Sequence, residues 1–314
     1  MRPKDLAALF VLAALWGGSF LFMRIAVPVF GPVALAAMRV TLAGLALLLY
    51  SAMARKLPTA CGNRRRFVLL GVLNAAIPYA LIATAELHLT ASLTSILNAI
   101  TPLCTAIVAA IWLRERLTRR LIAGGVLGIA GVAVLVGGSA LPSDTATALA
   151  VGAGLLAAVS YGLAAVYTKV AFRGLSPLTL ATGQQVGAAV VLVPLAVPAT
   201  IATAPTLHFT GVVIGAVIAL ALLSTSVAYL LYFSLIASVG PTGAASVTLL
   251  VPVFGLLWGA LLLREPLHPG TLVGLAIVLA SVALITGLRL PAFRSHAVVS
   301  FPATVPPLPP LDRT

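Results

Sequence analysis

Charge is what this sequence has least of. Only 8% of its 314 residues are charged, and only six are acidic. With 61% hydrophobic residues and a mean hydropathy of +1.16, such a chain cannot clothe a water-soluble surface. Two cysteines, Cys61 and Cys104, stand without metal-ligand spacing and are not expected to pair, so neither a disulfide scaffold nor a metal cluster is read here. The scarce acids and the four histidines lie mostly at span ends or in loops, and they form no clustered acid, base and nucleophile set of the kind an intramembrane enzyme needs. No cofactor motif is read.

The formal charge of +13 does not point to nucleic acid, because the basic residues fall in short clusters at the ends of apolar runs, without aromatic interleaving. What the chain has in abundance is long apolar runs. At about 20 residues per helical span, ten fit, over 6–27, 32–53, 67–87, 91–113, 121–137, 148–168, 177–198, 209–237, 243–263 and 270–288. The first run follows Arg2 and Lys4 like a signal peptide, yet no small-residue cleavage site precedes Pro28, so it is expected to be retained as a helix. With the N-terminus inside, sixteen Lys and Arg fall on the inner side and three elsewhere, which predicts both termini in the cytoplasm and a multi-pass protein of the cell inner membrane. Residues 289–314, with the run Val305-Pro306-Pro307-Leu308-Pro309-Pro310, are expected to be a Pro-rich cytoplasmic tail, either solvated or a polyproline ligand.

The second half repeats the first. Trp16, Arg24, Pro32 and Arg39 align with Tyr161, Lys169, Pro177 and Gln184 at a shift of 145. Pro102, Arg114, Glu115, Leu117, Gly124 and Gly137 align with Pro252, Arg264, Glu265, Leu267, Gly274 and Gly287 at a shift of 150. Five spans per half would place the halves upside down relative to one another. The fold class read from this is an all-α integral membrane protein, ten transmembrane helices as two inverted five-helix repeats over 6–137 and 148–288, with a site between them near the midplane.

The block from Pro102 to Leu117, its second copy from Pro252 to Leu267, the Gly-spaced span Gly124 to Gly137, and Trp16-Gly17-Gly18-Ser19-Phe20 resemble EamA-type repeats of the drug/metabolite transporter superfamily over roughly residues 6–288. The resemblance implies a proton-linked or facilitative exporter of amino acids, other metabolites or drugs. It does not name the substrate. A non-transporting scaffold would need neither paired helix-breaking prolines nor a polar stripe.

Charged and polar residues inside spans are the candidate site, because a charge at the bilayer centre costs about 2.5–3.5 kcal/mol on insertion scales. Arg39 is either a contact for a substrate carboxylate or an ion-pair partner of Glu86. Glu86 is either paired with Arg24 or Arg39 or a carrier of the coupling proton, and Lys169 is an entrance charge or an interfacial anchor. Span four carries Ser92, Ser95, Asn98, Thr101 and Thr105 along one stripe, with Asn98 as a substrate contact and Thr248, beside Ser246, as its repeat partner. Asn74 and Tyr79 pair by repeat with Ser224 and Tyr229, Gln184 stands beside Gln185, and Trp16 and Tyr161 form an aromatic pair suited to capping a ligand or to packing. Pro102 and Pro252 are read as hinges. Gly124 with Gly128, and Gly255 with Gly259, suit close helix contact, while Arg114–Glu115 and Arg264–Glu265 are solvated pairs or gate latches. The partners expected are a small-molecule substrate and the lipid bilayer, in an exporter of a small metabolite such as an amino acid or, alternatively, a broad drug effluxer.

Overall fold

The computed structural model describes residues 2–55, 64–114, 118–138, 144–172, 174–203, 210–245 and 247–286. Glu115, Leu117, Ser246, Gly287 and the tail lie outside the described residues. Every regular element among the described residues is helical. In chain order they are α1 (Pro3–Phe30), α2 (Pro32–Met53), α3 (Arg64–Gly71, a π-helical turn Val72–Ala76, then Ile77–Ala85), α4 (Ala91–Asn98 and Thr101–Trp112), and α5 (Arg119–Gly137). The second half supplies α6 (Thr145–Ala171), α7 (Pro177–Thr203), α8 (Gly211–Ala221, a π-helical turn Leu222–Val227, then Ala228–Ala245), α9 (Val247–Leu262) and α10 (Pro269–Thr286). Eight are long and apolar enough to cross a membrane; α9 and α10 are shorter apolar helices.

Local sequence explains the boundaries. Prolines with no N–H to lose open α1, α2, α7 and α10. Thr90, Thr118, Asp144 and Thr210 cap α4, α5, α6 and α8, each side chain accepting from the backbone N–H three residues on, at 3.2, 3.2, 2.8 and 3.3 Å. That bond, with a second from the Thr147 hydroxyl, holds the Asp144 carboxyl below the usual carboxylate range. Thr210→Ala should cost about 1 kcal/mol of stability through loss of one such cap, read as a lower Tm in detergent with unchanged helix content.

Several predicted boundaries are corrected. Helix α7 runs on to Thr203 through Pro194 and Pro198, and α8 continues to Ala245, past the predicted end at 237. Span four is two helices: the backbone leaves the α-helix after Asn98 and restarts at Thr101, where Pro102 falls in the first turn and its missing N–H costs nothing. Its repeat partner Pro252 sits inside a continuous α9.

The helices pack in pairs that map onto one another under the repeat correspondence. Helix α1 packs on α9 as the second part of α4 packs on α6; α3 packs on α7 as α8 packs on α2; α3 meets α6 as α8 meets α1; α2 meets α7 and α5 meets α10. Two close approaches repeat as well. A Cβ on Gly17 would stand 2.6 Å from Phe254 Cβ and 2.8 Å from Gly255 N, and one on Gly162 would stand 2.8 Å from Thr105 N and 2.9 Å from the Cys104 carbonyl carbon. Each pair is related by the sequence shifts of 145 and 150, so one backbone contact has been built twice. The two π-helical turns also lie 150 residues apart. Outward-facing positions such as Leu49, Ile111, Val126 and Leu149 are exposed apolar side chains, as a lipid-facing surface requires.

Candidate functional site

A cavity of about 340 Å³ lies at the centre of the bundle, walled by α1, α2, α3, α4, α6, α8 and α9. Of the candidate residues, Trp16, Arg39, Asn74, Tyr79, Asn98, Tyr161, Tyr229 and Thr248 line it. Both Pro102 and Pro252 line it too. Gln184 does not; it stands behind Asn74 and accepts a hydrogen bond from Asn74 Nδ2 at 2.7 Å, fixing the amide that faces the cavity.

Arg39 is only 5% exposed. Its Nε donates to Thr225 Oγ1 at 3.0 Å, its Nη1 lies 3.6 Å from the Met23 sulfur, and the guanidinium sits 3.7 Å above the centre of the Tyr79 ring. No carboxylate pairs with it among the described residues, where the one ion pair joins Arg2 to Asp5 at 3.1 Å. The expected pairing with Glu86 is therefore not made. Tyr79 and Thr225 position the cation instead: a desolvated guanidinium gains about 2 kcal/mol from an aromatic face, and its planar fork keeps donors for a further acceptor. Thr225 is held by the π-helical turn of α8, where its hydroxyl donates to Leu220 O at 2.9 Å and the neighbouring Ser226 hydroxyl reaches Ala221 O at 3.1 Å.

Glu86 is fully buried, and neither carboxylate oxygen has a hydrogen-bond partner among the described residues. Arg24 donates to the backbone carbonyl of Glu86 rather than to its carboxylate, so the second expected ion pair is also replaced. Glu86 is not part of the cavity wall.

The stripe on α4 divides. Ser95, Asn98, Thr101 and Thr105 line the cavity, while Ser92 turns to α9. The Ser95, Thr101 and Thr105 hydroxyls donate back into their own helix at 2.7, 2.7 and 2.9 Å, so they present acceptor lone pairs. The Asn98 Oδ1 has no hydrogen-bond partner among the described residues. Aromatic rings close the opposite side. Trp16 stands edge-on to Tyr229 at 6.3 Å and tilted against Tyr232 at 5.2 Å, and Tyr161 and Tyr79 complete the wall.

Three contributors escape a reading of the sequence. Thr225 is signalled only by the run Ser224-Thr225-Ser226 inside an apolar span, Tyr232 by its place one turn beyond Tyr229, and Met23 by nothing at all. Glu265 was read as the partner of Arg264, but its carboxylate accepts from the Ala91 and Ser92 N–H groups and the Ser92 hydroxyl at 2.7, 3.0 and 2.6 Å. Its repeat partner Glu115 lies outside the described residues.

A bundle of apolar helices around a central cavity walled by amides, hydroxyls, aromatic rings and one buried cation is built like a membrane solute carrier. The chain belongs to the EamA-like transporter family, whose model matches residues 5–137 and 148–287, and it is a multi-pass membrane protein. Among relatives, a probable terminal-alkyne amino-acid exporter of Streptantibioticus cattleyicolor is 28% identical over 90% of this chain and 93% of its own length. An uncharacterized transporter of Archaeoglobus fulgidus is 24% identical over 91% of this chain and all of its own length. A crystal structure with 19% sequence identity superposes with a TM-score of 0.63, covering 92% of this chain and 98% of the other, and shares the fold.

Proposed function

We propose that this protein is a secondary transporter that exports a small carboxylate-bearing metabolite, such as an amino acid, across the cell inner membrane by alternating access. The observation that carries the reading is Arg39: a buried guanidinium, stacked on Tyr79, facing a cavity without a carboxylate partner among the described residues. Burying an unpaired charge is costly, and a substrate carboxylate would neutralise it. In this reading Asn98, Asn74 and Thr248 take the remaining polar groups of the solute, Trp16, Tyr79, Tyr161 and Tyr229 enclose its apolar body, and Gln184 positions Asn74. The amino-acid exporter of S. cattleyicolor supports the class.

The five-span halves are proposed to be inverted repeats, 6–137 and 148–288, with both termini cytoplasmic. Consecutive crossings leave α1 and α6 running in opposite directions, and the matched packing pairs and matched glycine approaches support a two-fold relation between the halves. Helix α9 packs mainly on the first part of α4, Ala91–Asn98, and far less on its second part, Thr101–Trp112, among the described residues. That asymmetry suits a carrier closed at one end, with Pro102 and Pro252 as hinges.

Glu86, whose carboxylate is buried without a hydrogen-bond partner among the described residues, is proposed to carry the coupling proton. Purified protein in liposomes should take up labelled amino acids, faster with an imposed proton gradient. Glu86→Gln should abolish the gradient-driven component while sparing exchange. No uptake of any of the twenty labelled amino acids would refute the substrate class. A broad drug-efflux role is the second reading, favoured by the aromatic cluster of Trp16, Tyr229 and Tyr232.

A further inference from the structure

The end of the bundle where α4 begins and α9 ends is sealed by an unusual cap. The first turn of a helix leaves four N–H groups without intrahelical partners. In α4 the N–H groups of Leu93 and Thr94 are satisfied locally, by Thr90 Oγ1 at 3.2 Å and Thr90 O at 3.0 Å. Those of Ala91 and Ser92 are satisfied from 174 and 173 residues away, by the two oxygens of the Glu265 carboxylate, which also accepts from the Ser92 hydroxyl. A carboxylate at a helix N-terminus gains from the helix dipole as well as from charge-assisted hydrogen bonds.

The backbone is shaped to deliver that carboxylate. Helix α9 ends with Glu265 N–H bonded to Gly259 O at 3.1 Å, and Arg264 between them is left-handed at φ 56°, a conformation that side-chain-bearing residues seldom adopt. Gly259 leaves the room: a Cβ there would overlap both Glu265 Oε2 and Ser92 Oγ. One helical turn deeper, a Cβ on Gly255 would overlap Ser95, so the two helices seal face to face between the cap and the cavity that Ser95 lines. At the same end Arg24 ties α1 to the carbonyl of Glu86 at the close of α3. Beyond Asn98 the seal loosens, because α9 packs mainly on the first part of α4 and far less on the second among the described residues.

We propose that Glu265 is the latch residue of one of the two gates, holding the cavity shut at the α4 N-terminal end by capping a helix of the other repeat. The proposal rests on the alternating-access reading. Opening this end requires Glu265 to release Ala91 and Ser92, and water at the membrane surface takes over their N–H groups. The bonds are therefore replaceable in a way that a midplane contact would not be. Arg264 is not the partner; it supplies the turn.

The test uses full-length protein in vesicles of both orientations, with Cys61→Ser and Cys104→Ser, a single Ser95→Cys probe and a membrane-impermeant maleimide. Glu265→Ala should raise the labelling rate from the latch face about tenfold, the loss expected when charge-assisted bonds to one group are removed. Gly259→Ala, which pushes the carboxylate off α4 while keeping the acid in the chain, should do the same, and Glu265→Gln, which keeps one good acceptor, should fall between. Latch-face rates unchanged in all three, with labelling from the other face intact, would overturn the latch alone. Labelling from neither face in the parent or any variant would overturn the latch together with the transport reading.

Discussion

Arg39→Ala is expected to cut flux of a carboxylate-bearing solute about ten- to a hundredfold, while Arg39→Lys retains an intermediate rate. The magnitude follows from what is lost. Hydrogen bonds to a charged group contribute about 1.5–3 kcal/mol net, and every 1.4 kcal/mol is a factor of ten. A lysine keeps the charge but loses the planar fork that lets one guanidinium stack on Tyr79, donate to Thr225 and still present donors to the cavity. Removing a buried cation also removes a desolvation cost, so the alanine variant should fold with an unchanged or higher Tm. Initial rates in proteoliposomes, with Tm measured on the same preparations, check both halves of the expectation. Equal flux in wild type and alanine variant would remove Arg39 from the site.

Gly17→Val and Gly162→Val should each destabilise the protein by 3 kcal/mol or more, on the order of the upper end for overpacking, and by similar amounts. The atoms that a new Cβ would meet are mostly backbone, Gly255 N and the Phe254 carbonyl carbon in one case, Thr105 N and the Cys104 carbonyl carbon in the other, and backbone cannot swing aside as a long side chain can. Matching losses of monodisperse protein on heating would reflect one helix contact built twice. Gly152→Val, on an outer face with open space around its Cβ, is the control and should change little.

How much of this was legible in the sequence depended on whether the signal was local. Ten apolar runs and their repeat are one-dimensional patterns, and ten helices stand where they were read. The spacing on α4 placed Ser95, Asn98, Thr101 and Thr105 on one face because helical geometry fixes that relation, and they share the cavity wall. Charge pairing was not legible. Arg24, Arg39 and Glu86 sit on the predicted outer side, yet Arg24 takes a backbone carbonyl, Arg39 takes a threonine and an aromatic ring from other helices, and the Glu86 carboxylate has no hydrogen-bond partner among the described residues. The π-helical turns were equally hidden: an extra residue per turn leaves no mark on an apolar run, yet one of them holds Thr225, which accepts from Arg39. The partner of Glu265 is hidden for the same reason, since its neighbour in sequence is Arg264 while its neighbour in space begins α4.

The segment between α2 and α3 and its repeat equivalent between α7 and α8 test the inversion of the halves most directly. Cys61 lies in the first loop and a Thr206→Cys substitution would mark the second, in a Cys104→Ser background. An impermeant maleimide should reach Cys61 only from the cytoplasmic face and position 206 only from the opposite face. Labelling of both from one face would contradict the inverted arrangement.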